Sequence, residues 1–288
     1  MSTVALAHEA ARATVALSGA ELRRWSVAGR DLMWPGDPAV WPEISPILYP
    51  VVGWTRDGAR VEGRRYGLGL HGFARFEPFA LEASGPDFVR LRLVDSARTR
   101  AVYPFAFALS VEYRLEADAL AAAIEVANPG ATPAPYACGF HPGFRWPLGA
   151  AGRDGARIRF EKPERAEVPI IAPGGLIGRA VRPVPLAGRD LPLSDALLGG
   201  DALCFLNCVS RALTFLDASG ASITMDFPGF DHAALWTRPP APFLCLEAWT
   251  GYGDPEGFDG ELIDKPSMRV LQPGERARHE ARFAYRAT

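Results

Sequence analysis

A glutamate interrupts an apolar run in the last fifth of the chain, within the segment Phe243–Trp249. A proline precedes the segment and a glycine follows it closely, so the run predicts a β-strand. Because side chains alternate between the two faces of a strand, Glu247 shares a face with Cys245 and Trp249, and leucines occupy the opposite face. Burying an ionised carboxylate without a partner is costly. The pattern therefore indicates either the wall of a small-molecule site or a structural position, at a frayed strand end or paired with an arginine.

A histidine at position 141 is held between two glycines and directly before a proline. The proline biases His141 towards an extended backbone, and Gly139 and Gly143 allow backbone or ligand to approach closely. The unperturbed pKa of a histidine, ~6.5, lies near neutral pH. These features make His141 a candidate general acid or base.

The segment Gly67–Gly72 matches the G-x-G-x-x-G pattern. A dinucleotide site would need a buried strand before this pattern and a helix after it, whereas two arginines precede it and Pro78 follows soon after. We therefore interpret it as a glycine-rich turn that leads into an extended segment. In an extended chain His71, Phe73 and Arg75 share one face. A histidine beside an arginine suits the recognition of hydroxyl groups and ring oxygens, although a lone histidine is more often an ordinary polar residue whose hydrogen bonds are satisfied.

The other histidines and the four cysteines carry weaker signals. His8 and His279 lie in polar terminal segments and are expected to be solvated, and His232 is ambiguous. The cysteines are scattered and predict buried free thiols in a reducing compartment, hence a cytoplasmic protein. Two of them are four residues apart, but no second Cys or His pair accompanies them, so we predict no zinc site. The four are Cys138, Cys204, Cys208 and Cys245.

A loop rich in tryptophan and proline spans Trp34–Tyr49. Its rings either form a platform for the apolar C–H face of a sugar or pin the loop to the core, which is the commoner role of aromatic residues. In the C-terminal third, Trp236 precedes the strand of Glu247, and Asp254 follows it in a turn-rich loop. We expect this part of the chain to close the predicted site.

Composition excludes several classes of partner. The chain has 288 residues, of which 48% are hydrophobic and 22% charged, and a net charge of −2. These values are ordinary for a folded protein and give no electrostatic signal for nucleic acid or an anionic membrane. The N-terminus has neither a basic region nor a sustained apolar run, and no segment is long and apolar enough to span a bilayer. We expect no signal peptide, no nucleic-acid partner and no membrane association.

Two-residue alternation of apolar and polar side chains recurs along the chain, which is typical of antiparallel strands with one buried and one solvated face. The alternating segments are 89–93, 105–116, 157–161, 222–227 and 282–286. The chain has 29 glycines and 26 prolines, which punctuate these runs and leave little room for long helices. Candidate helices are Leu193–Leu198 and Asp118–Ala123. The pattern predicts an all-β fold, a large antiparallel β-sandwich built as a single domain over residues 1–288.

Three groups of residues occur together in a distinctive order and spacing: His71-Gly72-Phe73-Ala74-Arg75, then His141-Pro142-Gly143-Phe144, then Glu247-Ala248-Trp249-Thr250-Gly251 with Asp254, Lys265 and Leu271–Glu275. On these residues the chain resembles the aldose 1-epimerases, or galactose mutarotases, and among them the bacterial aldose-epimerase-like branch. The resemblance extends from about Gly19 to Tyr285. It implies a galactose mutarotase-like β-supersandwich with a sugar cleft on one face of a sheet.

The resemblance also implies roles for single residues. Glu247 aligns with the general base of the family and His141 with its general acid. His71 aligns with a second active-site histidine. Four further residues are expected to contact the substrate: Arg75, Trp236, Trp249 and Asp254. The chain departs from the family at Ala248, where proline is common, and at Gly143, where a bulky residue often follows His-Pro; we expect these departures to affect sugar preference more than chemistry.

Interconversion of the α and β anomers of an aldose needs two proton transfers. By this interpretation Glu247, as a carboxylate, takes the proton of the anomeric hydroxyl, and protonated His141 supplies one to the ring oxygen. The ring opens, the aldehyde end rotates and the ring recloses on its other face, while His71 hydrogen-bonds the ring oxygen or a neighbouring hydroxyl. We therefore predict an isomerase, a mutarotase acting on an aldose or a sugar phosphate. We expect it to work as a monomer or homodimer with no cofactor and no metal.

Other functions remain open. Two histidines and a carboxylate also form the ligand set of a non-haem iron site, although no His-x-His pair occurs. A carbohydrate-binding protein without catalysis would contact a sugar but would not need an acid and a base together. A glycosidase needs a pair of carboxyl groups, and the sequence offers one convincing carboxylate.

Overall fold

The computed structural model describes residues 2–150 and 152–288. Within these residues the regular structure is almost entirely β, and all pairings between the named strands are antiparallel. The prediction of an antiparallel all-β sandwich is confirmed. No helix in the described ranges is long and apolar enough to cross a membrane.

The strands follow one another with short connections. The first fourteen are β1 Thr3–His8, β2 Ala11–Ala16, β3 Leu22–Val27, β4 Arg30–Asp31, β5 Ile47–Leu48, β6 Ala59–Val61, β7 Arg64–Tyr66, β8 Ala80–Ser84, β9 Phe88–Val94, β10 Ala108–Leu115, β11 Ala119–Ala127, β12 Ala134–Tyr136, β13 Gly139–Phe140 and β14 Gly143–Arg145. The remaining eleven are β15 Arg157–Phe160, β16 Glu167–Ala172, β17 Leu176–Pro183, β18 Asp190–Pro192, β19 Leu203–Phe205, β20 Ala212–Leu216, β21 Ser222–Asp226, β22 His232–Trp236, β23 Phe243–Trp249, β24 Arg269–Leu271 and β25 Arg276–Arg286.

Two large sheets dominate the architecture. A nine-stranded sheet has the order β18-β15-β20-β21-β25-β11-β10-β9-β8. A six-stranded sheet has the order β19-β22-β23-β13-β5, with β14 also paired to β23. The smaller sheets are β1-β2-β3-β4 and the pairs β12-β24, β16-β17 and β6-β7.

The main core lies between the two large sheets. Leu244 and Leu246 of β23 are fully buried in it, as the alternation of this strand predicts. Phe144 of β14 lies beside them and contacts Phe283 of β25 with ring centroids 5.7 Å apart. One face of β23 therefore packs against the nine-stranded sheet. The other face, which bears Glu247, is not needed for this contact.

Helices are few and short. The predicted helix at Leu193–Leu198 is present as α2, Asp195–Leu198, whereas the short α1, Ala97–Arg100, was not foreseen. The predicted helix at Asp118–Ala123 is wrong, because these residues enter strand β11. Alternate side chains of β11 are buried in the core, and both of its edges are paired, to β10 and to β25. This long-range pairing overrides the helix propensity of its alanines.

His279 corrects another expectation, that of a solvated terminal residue. It lies on β25, an interior strand of the nine-stranded sheet, and is buried. Its Nε2 is 2.9 Å from the hydroxyl of Tyr136 and its Nδ1 is 2.9 Å from the carbonyl oxygen of Gly229. Both ring nitrogens thus have hydrogen-bond partners within the protein, which allows the imidazole to be buried. The polar residues next to His279 in the sequence therefore did not indicate that it is exposed. The four cysteines are free and buried, as predicted.

The segment 71–76 crosses the end of β5 and is not extended, which corrects the sequence interpretation. His71 and Gly72 have left-handed φ angles of 59° and 68°, and a 3₁₀ turn follows at Ala74–Phe76. The backbone N–H groups of Phe73 and Ala74 both donate to the carbonyl oxygen of Tyr49, at 3.0 and 3.2 Å. The glycine turn therefore clamps this segment against β5 and fixes the direction of the His71 side chain.

Replacement of Gly72 by alanine should destabilise the protein and disturb this clamp. A Cβ at Gly72 would lie inside van der Waals contact of the Tyr49 carbonyl, in addition to the left-handed strain, which costs about 1–2 kcal/mol. Gly63 is a matched control, because its φ is 75° and a Cβ there would meet nothing within 4 Å. Urea unfolding should show a larger loss of stability for Gly72→Ala than for Gly63→Ala; equal losses would contradict the proposed clamp.

Candidate active site

The strand register sets Glu247 opposite His141. Phe140 of β13 pairs with Ala248, and Gly143 of β14 pairs with Cys245. The two pairs share one register, so His141 and Glu247 occupy directly opposed positions between them. Directly opposed residues project from the same face of a sheet, with Cβ atoms about 4.5–5.5 Å apart. Pro142, which has no N–H to donate, explains why β13 and β14 are separate strands at this point.

The two side chains meet in the protein interior. Nε2 of His141 lies 3.3 Å from Oε2 of Glu247, and the two side chains are 9% and 1% exposed. The indole N–H of Trp249 donates to the same carboxyl oxygen at 3.1 Å. Glu247 and Trp249 share a strand face as predicted, and the indole supplies a hydrogen bond that favours the charged form of the carboxyl group.

His71 approaches this pair from the clamped segment described above. Its ring is perpendicular to that of His141, with centroids 5.6 Å apart. The backbone N–H of Gly53 donates to Nδ1 of His71 at 3.1 Å. With Nδ1 acting as acceptor, the neutral ring carries its proton on Nε2. His71 is thereby set up as a hydrogen-bond donor through Nε2.

A cavity of about 510 Å³ contains these groups. Six of the seven predicted site residues line it: Glu247, His141, His71, Arg75, Trp236 and Trp249. Trp41, from the tryptophan-rich loop considered above, also lines the cavity, and sequence reasoning did not assign several further polar or aromatic lining residues: Glu43, Trp54, Asp201, Cys204 and Arg238. The volume of the cavity falls in the range of small-molecule pockets, about 300–1,000 Å³.

The tryptophan-rich loop both packs against the core and reaches the cavity through Trp41. Its ring is 7% exposed and stacks on Phe243 with centroids 5.2 Å apart, which ties the loop to the core. The same ring lines the cavity and lies 5.2 Å from the imidazole of His141. Gly143 makes this possible, since a Cβ there would lie 2.7 Å from the Trp41 ring.

Asp254 does not line the cavity, which corrects its assignment as a substrate contact. One carboxyl oxygen lies 3.0 Å from Nζ of Lys265, in a buried ion pair, and the other accepts from the backbone N–H of Arg56 at 2.8 Å. Its backbone also bonds to the segments that bear Trp54 and Ile177, both of which line the cavity. Asp254 therefore supports a wall of the site from behind.

Burial shifts the pKa values of the acid–base groups towards their neutral forms. It raises the pKa of Glu247 well above its ordinary value, against the opposing hydrogen bond from Trp249. Burial, aided by the charge of Arg75, lowers the pKa of His141 to about 3. The pKa of His71 is lowered by burial and then by His141 and Arg75. The pair thus favours a carboxylic acid and a neutral imidazole, the reverse of the charge states expected from the sequence.

No group of three or more histidine, cysteine, aspartate or glutamate side chains within residues 2–150 and 152–288 is arranged to hold a metal ion. His71 illustrates the reason, because its Nδ1 is already occupied by the N–H of Gly53. The arrangement instead brings together a buried carboxyl group, two imidazoles and a guanidinium in a cavity with aromatic walls. Such a set can transfer protons to and from a polyhydroxylated ring.

Comparison with known proteins identifies the family. The family model described as Aldose 1-epimerase matches residues 2–284. The chain belongs to the aldose 1-epimerase family. The resemblance stated from the sequence is therefore confirmed, and the match extends over nearly the whole chain.

Individual relatives of this aldose 1-epimerase family member agree with the assignment. The chromosomal protein LacX of Lactococcus lactis subsp. lactis is 30% identical over 257 residues, covering 85% of this chain and 86% of LacX. A crystal structure of a galactose mutarotase-like protein from Lactobacillus casei superposes with a TM-score of 0.92 at 26% identity, covering 99% of this chain and 100% of that chain. A galactose mutarotase related enzyme from Lactobacillus acidophilus has the same fold, with a TM-score of 0.90 at 24% identity and coverage of 100% and 98%.

Replacement of Lys265, whose ammonium group pairs with Asp254 behind the cavity wall, should lower the free energy of unfolding. Lys265→Met would leave the Asp254 carboxylate buried without its partner, which typically costs about 3–5 kcal/mol. Arg278→Met is the control, since Arg278 is 36% exposed and pairs with Glu112 and Glu280 at the surface, where such pairs contribute about 0–1 kcal/mol. Urea unfolding should show the larger loss for Lys265→Met, with partial recovery in Lys265→Met/Asp254→Asn. Equal losses in the two single variants would show that the buried pair has no special role.

Proposed function

We propose that this protein is an aldose 1-epimerase in activity as well as in family, and that it interconverts the α and β anomers of an aldose. The supporting observation is the contact between Glu247 and His141, 3.3 Å apart inside a cavity of about 510 Å³. A buried carboxyl–imidazole pair that opens into a cavity of sugar size is suited to proton transfer on a pyranose. The free, buried state of the cysteines supports a cytoplasmic location.

The proton count of the pair suits this reaction. A neutral Glu247 and a neutral His141 hold one proton between them, as do a carboxylate and an imidazolium. Moving that proton from Glu247 to His141 creates the base and the acid that anomerisation needs, and the Trp249 N–H stabilises the resulting carboxylate. We infer that substrate hydroxyl groups, on entering the cavity, replace lost hydration and favour this transfer.

The proton transfers balance over the cycle. Glu247 takes the proton from the anomeric hydroxyl as His141 gives one to the ring oxygen, so the bond between C1 and the ring oxygen breaks and C1 becomes an aldehyde. After rotation about C1–C2, the ring hydroxyl adds to the other face of the aldehyde, His141 recovers its proton and Glu247 returns the other to the anomeric oxygen. Each positioned acid or base contributes roughly 10²–10⁴-fold to such a rate.

Two further groups complete the proposal. His71, with its proton on Nε2, donates a hydrogen bond to the ring oxygen or a neighbouring hydroxyl and steadies the developing charge. Arg75, whose Nη2 donates to the carbonyl of Leu70 at 3.1 Å, holds a hydroxyl group. The rings of Trp41, Trp236 and Trp249 offer apolar surface to the C–H groups of the sugar.

Polarimetry with freshly dissolved α-anomers tests the proposal. The wild-type protein should accelerate the mutarotation of at least one aldose above its spontaneous rate, and His141→Ala and Glu247→Gln should each lose about 10²-fold or more. His8→Ala is the control, because the His8 side chain is partly exposed and does not line the cavity. Sugar binding without any acceleration by the wild-type protein would instead indicate a carbohydrate-binding protein without catalysis.

Because the acid–base pair is buried, both limbs of the pH profile of kcat/KM should be displaced, the acid limb to lower pH and the alkaline limb to higher pH. Activity needs one proton on the pair, so it falls on the acid side only as His141 gains a second proton, near its lowered pKa of about 3. On the alkaline side it falls as the pair loses its proton, above the usual range for a glutamate because the pKa of Glu247 is raised. Trp249→Phe removes the donor that favours the carboxylate and should move the alkaline limb to higher pH. An acid limb near ~6.5, the unperturbed histidine value, would contradict this account.

A further inference from the structure

Glu43 places a carboxylate in the wall of the cavity that the proton-transfer steps do not use. Its side chain is 28% exposed and lines the cavity. One oxygen, Oε2, receives two hydrogen bonds, from the indole N–H of Trp41 at 3.3 Å and from Nη1 of Arg75 at 3.2 Å. No protein donor within residues 2–150 and 152–288 bonds to the other oxygen, Oε1. Glu43 is therefore oriented through Oε2, and its Oε1 makes no hydrogen bond to the described protein.

The position of Glu43 relates it to the acid–base pair. Trp41, which donates to Glu43, also lies 5.2 Å from the imidazole of His141. Burial, then the charges of Glu247 and Glu43, raises the pKa of the Cys245 thiol, which is consistent with a carboxylate close to strand β23. A sugar with its anomeric carbon at Glu247 and His141 would thus present its remaining hydroxyl groups to the wall that contains Glu43.

Charged side chains of opposite sign balance one another in this wall. Glu43 neutralises Arg75, which has no other carboxylate contact in the described part of the chain. The other charged lining residues are Asp201 and Arg238, one of each sign. An adjacent carboxylate acceptor and guanidinium donor match hydroxyl groups, which both donate and accept. A phosphate dianion would meet the Glu43 carboxylate, which repels it, beside a guanidinium that is already paired.

We propose that Glu43 is a specificity-determining residue, which accepts a hydrogen bond through Oε1 from a sugar hydroxyl away from the anomeric carbon and disfavours phosphorylated sugars. This proposal rests on the proposed function for the orientation of the sugar. It assigns Glu43 to binding and not to proton transfer. Loss of Glu43 should therefore raise KM and leave kcat almost unchanged.

The test combines Glu43 variants with single-deoxy analogues of the aldose that the wild-type protein anomerises best. Glu43→Ala should raise KM for the parent sugar roughly 10- to 100-fold, the range for a hydrogen bond to a charged group. One deoxy analogue, which lacks the hydroxyl that Glu43 accepts from, should show the same KM in both enzymes. Glu43→Gln keeps an acceptor and removes the charge, so it should recover part of the KM loss and raise kcat/KM for the 6-phosphate relative to the parent sugar.

Glu112→Gln is the matched control. The Glu112 side chain is 24% exposed and contacts Arg90 at 3.4 Å and Arg278 at 3.3 Å, on the nine-stranded sheet. Glu112→Gln should leave KM unchanged for the parent sugar and for every deoxy analogue. An equal loss for every deoxy analogue in Glu43→Ala would overturn the proposal, because it would show that Glu43 only supports Trp41 and Arg75. A wild-type preference for the 6-phosphate would overturn it as well.

Failure of the proposed function can be told apart from failure of this inference. If the wild-type protein accelerates no anomerisation, the same sugars and variants are compared through Kd, read from the fluorescence of the cavity tryptophans. Loss of affinity for the parent sugar but not for one deoxy analogue would then support the role of Glu43, and equal losses would refute it. If the wild-type protein is active and the Glu43 variants are unchanged, the inference alone fails.

Discussion

The contact between Glu247 and His141 is the constraint on which the site depends. Burial disfavours the charged form of each group, and the strand register holds the two side chains next to each other. They occupy opposed positions of one continuous register, interrupted only by the proline after His141. A shift of that register by one residue would send Glu247 into the core and a leucine into the cavity. The register that folds the sheet therefore also aligns the two proposed proton-transfer groups.

The two faces of strand β23 have different roles. Leu244 and Leu246 lie in the core between the large sheets, while Glu247 and Trp249 face the cavity. Across the cavity face, Ala234 is the partner of Glu247 on the neighbouring strand. Its small side chain leaves room where a larger residue would fill the space above the carboxyl group. The reactive face can be open because the opposite face is closely packed.

Local patterns in the sequence indicated the all-β fold, several of the longer strands and much of the site, and long-range packing decided the rest. The alternation around Glu247 and the rigid setting of His141 depend on adjacent residues, so both could be found from the sequence. The turn at His71 reverses direction through left-handed backbone that no periodicity reveals. Asp254 was assigned from its alignment, but a buried lysine from a later loop determines where its carboxylate points. Glu43 lies in the tryptophan-rich loop, whose aromatic residues suggested a sugar platform, but nothing in its sequence indicates that this carboxylate pairs with Arg75.

The preference of the Glu247–His141 pair for its neutral form is compatible with the proposed anomerisation. In the proposed mechanism the forward and reverse reactions use the same two groups with their roles exchanged, so neither residue can hold the proton too firmly. Burial favours the proton on Glu247, and the Trp249 N–H opposes this by stabilising the carboxylate. These two effects act in opposite directions on one proton, so hydrogen bonds from bound hydroxyl groups to the carboxylate would act in the same direction as the Trp249 N–H. In the proposed mechanism the substrate therefore helps to form the charged acid–base pair.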